Sequence, residues 1–487
     1  MSPYLLEAYI VLVGLVILML EAFAPAIRKD SLGILAIGGL VFGLILLFVA
    51  QAPAHPENNA EMARFYSFDS AAIFYKGFAI VCTILVLLLA IDYKGILAKF
   101  TENPGSQEGT GEYYALPVFA CAGMMWMASA KDLISIFVAL ELVTITFYIL
   151  VAFMRRNVGS LEAGVKYLIL GALSTGILVY GVAWIYGTTG TTDLALIGEK
   201  LKELDSTTPA LFGLSLILLS LAFKVGAVPM QLWIPDVYQG APTPTTAFLS
   251  VGSKAAGFAI ALRILEPFVQ EGSPVQQQTI FILLILAGLT ILYGNLAAIP
   301  QSNFKRLLAY SSVAHAGFIL LAIAAWNEGS SNSLSSVQVV GFYLATYLIM
   351  TMGIFFALVT VRNATGSEEI AAFDGLGKRS PALALAITVL LSALAGLPLT
   401  AGFYGKFFAF QLAIDAGLWT GVVLGFIGVA AGFYYYLKVV RAMYWRTSDD
   451  TTAIEISPFS RYTIGTLTVL TILLGFYPDP ILWLLGA

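Results

Sequence analysis

The sequence predicts an all-α polytopic membrane protein of about fourteen transmembrane helices, and three observations carry that prediction. Of 487 residues, 59% are hydrophobic and only 11% are charged, against roughly 25% charged in an ordinary soluble chain. Apolar runs of about 20 residues, the length that crosses a hydrocarbon core of ~30 Å, recur from end to end. The loops between them are short, and none is long enough for a catalytic domain.

Spans are expected near residues 4–24, 32–52, 68–91, 112–130, 132–154, 161–187, 209–238, 243–267, 276–299, 304–326, 337–361, 381–415, 417–445 and 460–484. The first run carries Glu7 and Glu21 with no basic residue ahead of it, so it reads as an uncleaved span rather than a signal peptide. The seventh and twelfth are too long for simple spans. They contain Pro229 and Pro398, beside Gly226 and Gly402. A proline inside a helix removes a hydrogen bond and clashes with the preceding turn, so both spans should be broken. Gly39/Gly43 and Gly421/Gly425 have the spacing of close-packing pairs between membrane helices. Residues 100–111 and 188–208 are polar and turn-rich connections.

Basic residues collect on the inner side of a membrane protein. With the N-terminus outside, sixteen of the 25 lysines and arginines fall on inner loops and six, Lys76 among them, on outer ones. That asymmetry predicts an even span count with both termini outside. Three basic residues fit neither side: Lys224, Lys254 and Lys406. Lys224 lies near the Gly226/Pro229 break and Lys406 near the Pro398/Gly402 break, five spans apart. Five-helix units covering 112–267 and 276–446 would start on opposite sides and be inverted, the arrangement in which broken helices line a midplane ion site. Residues 1–111 supply three helices before these repeats and 460–487 one after them.

Several function classes are excluded. No GxGxxG follows a strand and no GxxxxGK[ST] is present, so nucleotide-binding fingerprints are missing. Cys82 and Cys121 lie in apolar runs, and His55 and His315 are far apart, which leaves no ligand set for zinc, haem or an iron–sulfur cluster. The net charge of −4 implies no nucleic-acid partner.

The ionisable residues inside the runs carry the functional reading. Glu141 sits mid-span, with Thr144 and Tyr148 on its face. A central carboxylate costs roughly 2.5–3.5 kcal/mol on insertion scales and so should face protein or water. It reads as the partner of Lys224. The charge state of a desolvated lysine depends on the distance of such a partner, so moving the pair by a few ångströms would load or release a proton. Ser220 and Ser250, four residues before Lys224 and Lys254, extend polar stripes that could hold water. Lys305, beside Arg306 at the start of a span, has the position of a topology marker as much as of a relay. His315, deeper in the same span, is suited to a relay by an ordinary pKa near 6.5, and nearly as well to the place of a hydrogen-bonded core histidine.

The runs GVKYLILGALSTG, FKVGAVPMQLWIPDVYQGAPTPTTAFLSVGSKAA, SNFKRLLAYSSVAHAGF and LAGLPLTAGFYGKFF resemble the antiporter-like subunit N family of proton-pumping NADH:quinone oxidoreductase, respiratory complex I. The resemblance covers most of the chain. It implies fourteen helices, two inverted five-helix repeats with broken helices 7 and 12, and kinship with Mrp-type cation/proton antiporters. It also implies proton-translocating roles for Glu141, Lys224, Lys254 and Lys406. NADH, FMN, iron–sulfur clusters and quinone would then be used by other subunits, and the partners would be the lipid bilayer and further antiporter-like and small helical subunits of a bacterial cytoplasmic membrane complex. Sister subunits tend to carry a glutamate at the position of Lys406 or a long lateral helix at the C-terminus, and neither pattern fits here. Many relatives have histidine where this chain has Gln231, which leaves that position without a group able to carry a proton as a cation. The competing readings are an Mrp-type sodium/proton antiporter subunit and a non-transporting spacer, for which buried charges are a poor choice beside apolar packing.

Overall fold

The computed structural model describes residues 2–24, 28–50, 60–100, 110–330, 333–447 and 452–486. His55 and residues 101–109 of the first polar connection lie outside the described residues. Four helices open the chain: α1 (Leu5–Phe23), α2 (Lys29–Val49), the short α3 (Ala60–Phe65) and α4 (Ser70–Leu97). Next come α5 (Thr110–Ser129), α6 (Leu133–Val151), α7 (Val158–Thr189), the short α8 (Leu194–Leu201) and α9 (Thr208–Val225). Beyond a break lie α10 (Ile234–Gly240), α11 (Thr243–Phe248) and α12 (Lys254–Val269), the last two joined by the π-helical turn Leu249–Ser253. The chain continues with α13 (Gln276–Ala298), α14 (Phe304–Ala324), α15 (Ser336–Thr365), the single turn α16 (Leu376–Arg379), α17 (Pro381–Ala395) and α18 (Ala401–Asp415). It closes with α19 (Trp419–Trp445), α20 (Pro458–Phe476) and the short α21 (Asp479–Leu484).

Among the described residues, 12 helices are long and apolar enough to cross a membrane, α11 to α12 counting as one. The other two expected spans are also helical. They are α5 and the broken pair α17/α18, whose halves of 15 residues each are too short singly. The connection expected as a plain loop at 188–208 contains α8, which buries Leu194, Ile197 and Leu201 on one face.

Three rods form the centre: α11–α12, α14 and α15 are buried along almost their whole length. Around them, α1, α2, α7, α13, α19 and α20 expose apolar side chains such as Phe48, Ile169, Phe281 and Phe426. α2 is the most hydropathic of these 12 helices and only about a third buried, whereas Thr243–Val269 is among the least and almost fully buried. Lipid tails are as apolar as leucine, so burial here follows packing and polar contacts rather than hydropathy. The expected glycine pairs do pack closely. A Cβ on Gly39 would stand 2.7 Å from Val13 and one on Gly425 2.4 Å from Phe410. Side-chain caps by Asp69, Asn157 and Asn303 start α4, α7 and α14.

One charge assignment is corrected. Lys76, expected at the outer surface, is fully buried, and its Nζ lies 2.6 Å from Oε1 of buried Glu7 in α1. Tyr66 donates to the same carboxylate at 3.2 Å, and its ring lies 4.4 Å from the ammonium. A loop count places charges by their position along the chain, and the neutralising partner is 69 residues away.

Candidate functional site: a buried lysine series

Both predicted breaks are built structures. α9 stops at Val225, and Gly226 takes a left-handed conformation (φ 78°). The N–H groups of Gly226 and Ala227 both return to the Ala222 carbonyl, at 2.9 and 2.8 Å. Val228 then donates its N–H to Thr290 Oγ1 at 3.0 Å, and the Trp233 indole donates to the Phe223 carbonyl at 3.1 Å. Non-helical backbone at membrane depth persists only where its freed groups are satisfied in this way. Pro229 lies between the halves, and Gln231 opens the 3-10 turn that leads to α10. Gln231 is buried, and its Oε1 has no hydrogen-bond partner among the described residues.

The second break repeats the pattern. α17 ends at Ala395, Gly396 is left-handed (φ 95°), and Pro398 lies in the connection to α18. Gly402 brings the start of α18 so close that a Cβ there would sit 1.9 Å from the Ala393 carbonyl oxygen. Lys406 turns back onto the first half-helix, donating to the Leu394 and Ala395 carbonyls at 2.9 and 2.8 Å. A helix C-terminus bears about half a negative charge, so dipole and hydrogen bonds together hold this ammonium.

Lys224 occupies the last turn of α9, and its Nζ donates to Thr144 Oγ1 at 2.7 Å. Thr144 in turn donates to the Leu140 carbonyl at 2.7 Å. Glu141, half-buried, accepts from Thr175 Oγ1 of α7 at 2.8 Å. No Glu141–Lys224 ion pair occurs among the described residues: Glu141 is held by Thr175 and Lys224 by Thr144, and no hydrogen bond among those residues joins the two pairs. Thr144 is three residues along α6 from Glu141 and shares its face, and the threonine is the one that meets the ammonium.

Lys254 follows the π-turn, which turns it about the axis relative to an uninterrupted α-helix, a feature often found at functional positions. It is 2% exposed. Its Nζ donates to the Ser312 carbonyl at 2.5 Å and to the Ser312 hydroxyl. A Cβ on Gly226 would lie 4.0 Å from Lys254 Nζ, so this lysine passes near the end of α9, although its hydrogen bonds go to Ser312.

α14 connects the two. Ser312, His315 and Phe318 follow at three-residue steps, with Ser312 holding Lys254 and the Phe318 ring 5.2 Å from Lys406 Nζ. Between them, His315 Nδ1 meets Tyr343 Oη at 2.7 Å and Nε2 meets Tyr436 Oη at 3.3 Å. Tyr238 Oη lies 3.2 Å from Ser312 Oγ, and Tyr347 Oη lies 3.1 Å from Ser250 Oγ. The Ser220 stripe is also occupied, Ser220 Oγ lying 3.0 Å from Ser174 Oγ.

Lys305 is no surface topology marker. It is 1% exposed, donates to the Ala241 carbonyl at 2.8 Å, and lies 3.4 Å from Glu368 Oε1. Sequence reasoning missed Thr144 as a partner, and also Thr175, Ser312, Tyr343, Tyr347 and Glu368. Only the tyrosine pair left a signal, two hydroxyls at i and i+4 on one helix face. Cys82 and Cys121 are buried free thiols. Among the described residues no group of three or more His, Cys, Asp or Glu could hold a metal ion.

Residues 130–432 match the family model described as NADH:quinone oxidoreductase/Mrp antiporter, transmembrane. The NADH-quinone oxidoreductase subunit N of Heliobacterium modesticaldum is 40% identical over 443 residues, 91% of this chain and 89% of that protein. The chain belongs to the subunit N family. A solved chain of respiratory complex I from Thermus thermophilus with bound aureothin superposes on this member with TM-score 0.78, at 30% identity and 98% coverage of each chain. A chain of the Mrp complex from Dietzia sp. DQ12-45-1b gives TM-score 0.80 at 20% identity, covering 99% of this chain and 96% of its own. That second likeness shows a common fold. As a subunit N family member, the chain is a multi-pass membrane protein of antiporter-like fold.

Proposed function

We propose that the chain is a membrane-arm subunit of a proton-pumping NADH:quinone oxidoreductase. It would move protons along a hydrated line from Glu141 to Lys224, which Thr144 holds, then Lys254, then by Ser312, His315 and Tyr343 to Lys406. The observation that carries the reading is the state of the three central lysines. Each is buried beside the end of a half-helix, with hydroxyls and carbonyls as its hydrogen-bond partners. A buried ammonium without an adjacent carboxylate is costly, so such groups are retained for function more than for stability. Displacing Glu141 relative to Lys224 changes the energy of the charged lysine, and the hydroxyl line passes that change onward.

Support for two inverted units, 112–267 and 276–446, comes from the two breaks, each a helix ended by a left-handed glycine with a lysine at its carbonyl end. In this reading fourteen spans place both termini on the outer face of a bacterial cytoplasmic membrane. Flavin, iron–sulfur and quinone chemistry belong to other subunits, and the neighbours are further antiporter-like and small helical subunits. An Mrp-type antiporter subunit would instead exchange sodium for protons without redox partners, so copurification of NADH-oxidising subunits separates the two. The direct test is Lys224→Ala in the assembled complex, with NADH-driven acidification of inverted vesicles as readout. Acidification should fall strongly, and an assembled variant that pumps normally removes Lys224 from the pathway.

A further inference from the structure

We propose that Glu368 is the proton-uptake carboxylate of this chain, loading Lys305 and through it Lys254; this rests on the pathway proposed above. Glu368 follows α15 and is 12% exposed at its side chain, while Lys305 behind it is 1% exposed. Its Oε1 accepts from Thr243 Oγ1 at 2.9 Å and from Arg362, and stands 3.4 Å from Lys305 Nζ. Three elements meet on one oxygen: the start of α11, the end of α15 and the start of α14. The backbone fixes the site, with the Phe304 N–H donating to the Glu368 carbonyl at 2.9 Å and the Ile370 N–H to that of Ser302 at 2.8 Å.

From Lys305 two bridges lead inward. Along α14, Ser312 is seven residues on, nearly the same face and about 10 Å deeper, and it holds the Lys254 ammonium. Along the other, Lys305 bonds the Ala241 carbonyl, three residues after Tyr238, whose hydroxyl also meets Ser312. Glu368 is thus the group that touches both the outside and Lys305. A proton from water adds to the Glu368 carboxylate. Once Lys305 has passed its own proton inward, the carboxyl O–H breaks, the lysine N–H forms, and the carboxylate is restored. Arg362 holds the carboxylate in place, and neighbouring Glu369 is tied to Asn303 Nδ2 at 3.0 Å, outside the route.

The test uses the assembled oxidoreductase in native membrane vesicles, with NADH-driven acidification and NADH:quinone turnover measured together. Glu368→Gln should lose roughly tenfold or more of both, as when a positioned proton-transfer group is removed. Glu368→Asp should recover most of the loss, and Glu369→Gln, in the same loop, should behave as wild type. Should Glu368→Gln fail to assemble, Glu368→Gln with Arg362→Gln removes one charge of each sign and is read instead, with the same loss expected. Normal pumping in the Glu368→Gln or double variant, while Lys254→Ala is inactive, overturns this inference alone. Equal losses in Glu368→Gln and Glu369→Gln overturn it too, because loop anchoring would then explain both. Normal pumping by Lys254→Ala overturns the underlying pathway.

Discussion

Thr144→Val isolates the hydrogen bond that holds the Lys224 ammonium against the face of α6 that also carries Glu141. Valine keeps the shape of threonine and replaces the hydroxyl with a methyl, so the distance between the two charged groups is unchanged. What is lost is the 2.7 Å hydrogen bond from the Lys224 ammonium, a group only 5% exposed. A hydrogen bond to a charged group contributes about 1.5–3 kcal/mol net. At 1.4 kcal/mol per factor of ten, its loss is a penalty of roughly 10- to 100-fold on the charged lysine. The Leu140 carbonyl that accepts from Thr144 is a helix carbonyl, so its loss of a second donor is minor. The assay is NADH-driven acidification and NADH:quinone turnover in vesicles holding the assembled complex. Acidification should drop by an order of magnitude in Thr144→Val and return in Thr144→Ser. Wild-type pumping in Thr144→Val would refute a role for the Thr144 hydroxyl in holding the charged Lys224 and leave Glu141 to act on it through charge alone.

Two further outcomes follow from other buried charges. Removing one partner of the Glu7–Lys76 pair, as in Glu7→Gln, should cost about 3–5 kcal/mol by stranding a buried ammonium. Pairing Glu7→Leu with Lys76→Met should restore most of that, with thermal unfolding of the purified complex as readout and pumping unchanged in the double variant. Lys406→Met should stop pumping while changing thermal stability little, because the costly buried ammonium is removed together with the donor to the Leu394 and Ala395 carbonyls. A Lys406→Met complex with normal acidification contradicts a pathway through that residue.

Much of the site was legible in the chain because charge inside a hydrophobic run is rare and costly. Lys224, Lys254 and Lys406 stand out against their runs. Pro229 and Pro398 mark the breaks, where the structure finds Gly226 and Gly396 in left-handed turns, while Gly402, named from the sequence, lies inside α18. Lys76 was misjudged, and Lys305 left open between topology marker and relay, because each lies near the end of its helix, where a basic residue ordinarily reaches water. Each is held instead by a carboxylate distant in sequence, Glu7 and Glu368. The π-turn before Lys254 left no trace, since LSVGS has nothing that distinguishes it from ordinary helix.

The sequence by itself determined the class, the two breaks and the lysine series, because hydrophobic length, proline and buried charge are local properties with large energies. The tertiary structure alone decided what each charge touches. It set Thr144 against Lys224 and Thr175 against Glu141, put the α17 carbonyls on Lys406, and made α14 the rod along which Ser312 and His315 join the two halves. Hydroxyls in membrane helices are common and bond their own backbone by default, so only the packing of one helix on another gives a particular serine or tyrosine its role.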